Sequence, residues 1–330
     1  MHRERVSENV YWFQSEVYAQ VTAGAVTGPN WAVMIDTLAL PEEALEMRAY
    51  IEETVGVPVR YVINTHYHAD HSWGNCFFPG ATVIAHSLAR EAMLAKGEAS
   101  LDALRKQNAI YKQVKLVPPH LTFSDGNLTL RVGKKTLVLS ATPGHSADGI
   151  SVLVEEDRVL FAGDAFMPLP YMVDGDPDEI TATIKRIGKM GLENIIQGHG
   201  DIILRGEIEE AVRSNLAYIN AVRKGARAAA RRRNPLEALA EIDIESCGKA
   251  ASRWAGWVWN CTNETWYISI KRYQLKNQQG NEQAPAEMPV FNACLFISIR
   301  NLRQQNLVSL ELARSRETLR SVFLRDSMPV

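Results

Sequence analysis

The sequence predicts an α/β protein in which two β-sheets lie face to face with helices outside. Three observations point to this class. Short apolar runs rich in β-branched and aromatic residues are bounded by Gly and Asn turns. They come in two successive rounds, each followed by segments with helical spacing. Four polar motifs, THYHADH, TPGHSADG, FAGDAF and QGHG, begin where such an apolar run ends. Loops held on rigid strand ends are where chemistry is usually mounted.

The elements follow in order. Residues 10–13, 17–21 and 31–35 read as strands. Residues 41–54 have helical spacing, with Glu42 and Glu43 in an acidic first turn that suits the helix dipole. Residues 59–63 form a compact apolar run, expected of a buried strand. Residues 81–85 are another strand, and 87–96 and 100–112 are helices. The second round has strands at 128–132, 136–140, 150–154 and 159–162, a helix at 178–190 and a short strand at 195–196. A long closing helix spans 208–232.

The chain has 330 residues, 46% of them hydrophobic, which is ample for a sizeable core. A net charge of −2 gives no reason to expect a nucleic-acid or membrane partner for the whole molecule. The N-terminus lacks the apolar run of a signal peptide, and no stretch approaches the ~18 apolar residues of a membrane span. A cytoplasmic protein is expected. The four cysteines, Cys76, Cys247, Cys261 and Cys294, show no C-x-x-C spacing and suggest neither a disulfide framework nor a thiolate zinc knuckle.

Five of the eight histidines sit in the strand-end motifs. His66, His68, Asp70 and His71 share one six-residue window. Imidazole and carboxylate are ligands that borderline cations such as zinc accept. His66 and His68 are two apart and can point the same way, while Asp70 and His71 fall on another side of the turn. That spacing suits two adjacent metal positions. His145, Asp164 and His199 are weaker signals singly, since a lone loop His or Asp is commonly a solvated or turn residue. G-x-S-x-G is absent, in agreement with a metal-water route rather than a serine nucleophile.

Over roughly residues 5–245 the sequence resembles the metallo-β-lactamase superfamily. The residues that carry the resemblance are H-x-H-x-D-H at His66, His68, Asp70 and His71, P-G-H at His145, G-D at Asp164 and G-H at His199. It implies a four-layer αββα sandwich with the site along one edge of the two sheets. It implies a first metal held by His66, His68 and His145, a second by Asp70, His71 and His199, and Asp164 bridging them. Asp36, in VMIDTL, matches an Asp that orients the His loop through hydrogen bonds and is not itself a ligand. The expected cofactors are two zinc ions per chain, with iron or manganese as alternatives. The implied activity is a binuclear hydrolase using a metal-bridging hydroxide on a small ester, lactone or amide, β-lactams included. Asp70 would orient the nucleophile and shuttle its proton. Tyr171 is a candidate substrate contact. Residues 167–177 and 98–119 are the expected pocket walls.

Asp164 stands where some true β-lactamases carry a cysteine ligand, which argues against a thiolate-type site. Glyoxalase II has a G-C-G-R-type stretch after its G-D, whereas AFMPLPYMVDGDPDEI follows here. A glyoxalase II-like thioesterase is therefore the alternative. Alternatives of another class are a nuclease and an iron-dependent oxidoreductase. The basic run Arg223, Lys224, Arg227 and Arg231–Arg233 fits a solvated helix end better than a nucleic-acid surface.

Residues 1–248 read as the hydrolase domain, and from 249 the character changes. Trp254, Trp257, Trp259 and Trp266 fall within thirteen residues, and 276–285 is rich in Gln and Asn. Codons for Trp257–Tyr267, read two nucleotides later, permit Gly-Leu-Glu-Leu-His-Gln-Arg-Asn-Leu-Val, which resembles a closing helix. The tail over 249–330 thus reads as a frameshifted translation, with an unusual genuine extension as the alternative. Loss of a native closing helix would expose apolar surface and favour homo-oligomers.

Overall fold

The computed structural model describes residues 1–172, 174–234, 238 and 244–249. Residues 249–330 carried the expectation of an anomalous tail; beyond Lys249 that expectation lies outside the described residues.

The first sheet has seven strands in sequence order. They are β1 (His2–Ser7), β2 (Val10–Gln14), β3 (Thr22–Thr27), β4 (Ala32–Ile35), β5 (Val59–Ile63), β6 (Thr82–His86) and β7 (Leu121–Phe123). β1 to β4 are antiparallel and β4 to β7 parallel. The parallel part needs crossovers, and these supply α1 (Pro41–Ala49), α2 (Ala69–Ser72), α3 (Ser87–Ala92) and α4 (Glu98–Gln107). The second sheet has six strands: β8 (Asn127–Val132), β9 (Lys135–Ala141), β10 (Ile150–Val154), β11 (Val159–Gly163), β12 (Asn194–Gln197) and β13 (Ile203–Leu204). Within it β11 and β12 pair parallel, bridged by α5 (Pro177–Ile187). α6 (Ile208–Ala229) follows the last strand.

Three apolar cores lie between four layers. One face of each sheet meets the other through Trp12, Val33, Ile63 and Ile84 on one side and Leu137, Val152 and Phe161 on the other. The outer face of the first sheet buries Met34, Val62 and Val83 against Met47, Leu101 and Tyr111. The outer face of the second buries Leu160 and Ile195 against Ile184 of α5 and Tyr218, Ile219 and Val222 of α6. This is the αββα arrangement expected from the sequence, with the central strands of each sheet between two apolar layers.

The expected strand at 17–21 is not formed. Residues 15–21 make a bend in which Ala19 and Gln20 adopt positive φ and Val17 stays exposed. The strand is β3, whose Thr-Ala-Gly-Ala-Val-Thr carries little β signal. Its glycine has a reason: a Cβ on Gly24 would lie 1.9 Å from Cε1 of Phe161, which inserts from the facing sheet. β1 was not expected either, because it is an exposed, charged edge strand, a device that discourages edge-to-edge pairing.

Candidate metal centre

Each expected ligand sits just past a strand or in a strand-connecting loop, on one edge of the sandwich. β5 runs into the loop bearing His66 and His68, and α2 carries Asp70 and His71. The β9–β10 connection carries His145, while Asp164 and His199 follow β11 and β12. The structure brings all seven together. One potential ligand atom from each of His66, His68, His145 and Asp164 lies within 4.8 Å of the others, and the same holds for Asp70, His71 and His199, so each group could hold a metal ion.

Asp164 faces both groups. Its Oδ2 lies 3.3 Å from His145 Nε2 and 3.7 Å from His66 Nε2. Its Oδ1 lies 3.2 Å from His71 Nε2 and 3.5 Å from His199 Nε2. Asp70 Oδ2 completes the second group at 3.5 Å from His199 Nε2. Two glycines pack closely at this site, and Gly198 makes room for the carboxylate itself. Gly163 takes φ +51, and a Cβ there would lie 2.6 Å from Thr65 Oγ1. A Cβ on Gly198 would lie 1.9 Å from Asp164 Oδ1.

The imidazoles are fixed from behind. Asp36 Oδ2 lies 2.9 Å from His71 Nδ1, and the same carboxylate accepts from Thr65 N and Thr65 Oγ1, both at 2.7 Å. His145 Nδ1 donates to the Tyr171 carbonyl at 2.6 Å, and His199 Nδ1 to that of Ala19 at 2.9 Å. His66 Nδ1 is 3.1 Å from Thr65 Oγ1. Asn64 Nδ2 and Thr37 Oγ1 hold the carbonyl of His71. Such partners set ring orientation and leave the inward nitrogen with its lone pair.

Burial is the largest influence on these groups. It holds His66 well below the ordinary imidazole range, with His71 and His68 adding to the effect. It pushes His145 down to about 4 against the pull of Asp164. Both rings are therefore neutral at neutral pH. Burial also opposes charge on His71 and His199, but Asp164 raises both. Asp164 is held well below the carboxylate range, against burial, by His71, His199 and His145.

The cluster fits cations. His71 Nε2 and Asp164 Oδ1 are buried, face each other and make no hydrogen bond. Buried polar atoms without partners are rare in native proteins. Nitrogen and oxygen donors turned into one hollow are what zinc accepts.

Tyr171, the expected substrate contact, is 4% exposed. It reaches the site through its carbonyl and through a ring 5.9 Å from that of His145. Sequence reasoning missed three residues at the site: Tyr67, Asp148 and Asp174. Asp148 Oδ2 accepts from the Tyr67 amide at 2.7 Å. Asp174 accepts from the Tyr67 hydroxyl and lies 3.3 Å from His68 Nε2. Against the cost of burial, the His68 and Tyr67 hydrogen bonds hold the Asp174 carboxyl below its usual range. The only signals were a carboxylate three residues after His145 and the acidic run after Met172.

Two mixed sheets stacked between helices, with a His/Asp cluster on one shared edge, define a metal-site αββα sandwich. The chain belongs to the metallo-beta-lactamase superfamily, whose sequence model matches residues 18–216. It is 27% identical over 173 residues to thioesterase pkgB of Emericella nidulans, covering 52% of this chain and 43% of that protein. It is 26% identical over 225 residues to the human acyl-coenzyme A thioesterase MBLAC2, covering 59% and 79%. The chain spans about half the length of the first curated relatives it matches. A solved metallo-beta-lactamase family protein of Thermus thermophilus, TTHA1429, shares the fold, with TM-score 0.61, 17% identity and coverage of 84% of this chain and 96% of that one.

Proposed function

We propose that this chain is a binuclear, zinc-dependent hydrolase of small acyl compounds, acting on an ester, lactone, amide or thioester. One observation carries the reading: the two oxygens of Asp164 each face a separate group of ligands. His66, His68 and His145 would hold one ion, and Asp70, His71 and His199 the other, with Asp164 shared between them. The donor set of imidazole and carboxylate supports zinc, with iron and manganese as the alternatives. When bound, such a pair would supply an activated water and a Lewis acid for the carbonyl under attack.

The chain's own residues do the rest. His145 and His66, kept neutral by burial, offer lone pairs. The Asp70 side chain is 11% exposed, against 5% for Asp164. It is the more open carboxylate, placed to orient the attacking water and take its proton. Tyr171, packed beside His145, would contact the substrate. The names of two relatives favour a thioester as the acyl substrate. Among the described residues no helix is long and apolar enough to cross a membrane, which is compatible with a small-molecule substrate and a cytoplasmic location.

Elemental analysis paired with a hydrolysis screen over thioesters, lactones, β-lactams and phosphodiesters tests this. About two metal ions per chain and acyl hydrolysis are expected. His68→Ala and Asp70→Ala should each lose activity and bound metal. Full metal occupancy in both variants refutes the ligand assignment, and turnover of phosphodiesters alone refutes the substrate class.

A further inference from the structure

We propose that Asp174, braced by Tyr67, is a positioning residue that decides which nitrogen of His68 faces the metal cluster. The inference rests on the metal-site reading above. Four of the five clustered imidazoles turn Nε2 inward, and His68 does the opposite. Its Nδ1 lies 3.0 Å from His66 Nε2 and 2.9 Å from His145 Nε2, while its Nε2 points away, 3.3 Å from Asp174 Oδ2.

A neutral imidazole has one N–H and one lone pair. A carboxylate can only accept from Nε2, so the proton stays there and the lone pair is left on Nδ1, facing the hollow. The other histidines are anchored by carbonyls, by Thr65 or by Asp36, all outside the 166–176 loop except the Tyr171 carbonyl. Asp174 is the only side chain of that loop to do so among the described residues.

Asp174 is itself constrained. Its carboxylate accepts the Tyr67 hydroxyl, and its backbone bridges to Ser146, next to His145. The Tyr67 amide is held in turn by Asp148, from the same loop as His145. Tyr67 is thus clasped at amide and hydroxyl by two carboxylates from two loops, and His68 is its chain neighbour. Lys96 Nζ lies 5.7 Å from the centroid of the Tyr67 ring.

The test uses the full chain and two readouts besides turnover: zinc affinity by chelator competition, and the absorption spectrum of the cobalt(II)-loaded protein. Asp174→Ala should weaken one of the two metal equivalents by about ten- to hundredfold and change the cobalt spectrum. Asp174→Asn, which keeps an acceptor oxygen without the charge, should fall between Asp174→Ala and the parent. Tyr67→Phe should cost a smaller factor. Asp176→Ala, two residues along the same loop, should leave both affinities unchanged. If Asp174→Ala does not fold, Asp174→Asn and Tyr67→Phe still decide the matter. Parent-like affinities and spectra in the Asp174 variants overturn the proposal alone. Equal weakening of both equivalents, with a lower Tm of the metal-free protein, overturns it in favour of a loop-stability role. A parent chain that binds neither zinc nor cobalt removes the metal reading and this inference together.

Discussion

Asp36 shows how much one buried side chain outside the ligand set can carry. It leaves β4 with φ +60, a conformation uncommon for a non-glycine residue, and accepts from Thr65 N, Thr65 Oγ1 and His71 Nδ1. Asp36→Ala strands two buried donors and the His71 ring, which should cost about 3 kcal/mol of unfolding free energy in urea. Metal content should fall with it, because His71 loses its orienting partner. A change below about 0.5 kcal/mol, the scatter of ordinary surface substitutions, would show that the three contacts are not coupled to the fold. Asp36 and the clustered histidines were legible in the sequence because each follows an apolar run or sits in a dense polar motif. Asp148 and Asp174 were not. An Asp in a loop is ordinarily a turn former, and their roles appear only once Tyr67 is brought against residues 81 and 107 positions away.

Among the elements, α5 links the site to the second sheet. Its N-cap Asp176 accepts from Asp178 N at 2.7 Å and Glu179 N at 3.3 Å, with Pro177 in the first turn. Its apolar stripe, Ile180, Ile184 and Ile187, is buried in the core shared with α6. Asp176→Ala should lower stability by about 1 kcal/mol, read from the urea midpoint, while metal binding is retained. Helices of this kind were readable from sequence because cap, proline and stripe agree. β3 was not. Its central Gly24 is required by the approach of Phe161 from the opposite sheet, a constraint that strand propensity does not encode. β13, two residues long, is fixed by its neighbour β12 rather than by its own pattern.

For the molecule as a whole, we propose that the catalytic unit ends near residue 248. Ile244 and Cys247 are still buried against the α6 side of the core. Lys249 Nζ reaches Asn215 on α6 at 2.7 Å, and Asn215 Nδ2 donates to the Met167 carbonyl. A chain truncated after Gly248 should keep its metal and its activity, and loss of both would move the boundary into the tail. Burial lowers the Lys249 pKa to about 8 from an ordinary value of 10.5. A lysine whose folded pKa is depressed weakens the fold at neutral pH, and that penalty fades as pH rises from about 8 towards 10.5. Lys249→Met should therefore be more stable than the parent near neutral pH, with the gap closing by about pH 10 in paired urea titrations. Among the described residues the chain passes from the first sheet to the second through residues 124–126, and each of the two His/Asp clusters that could hold a cation draws on both sides of that crossing. Cut there and expressed as two polypeptides, the protein should behave as a split reporter: neither fragment can close a cation cage, the apolar faces between the sheets drive reunion, and zinc retention becomes a direct assay of reassembly.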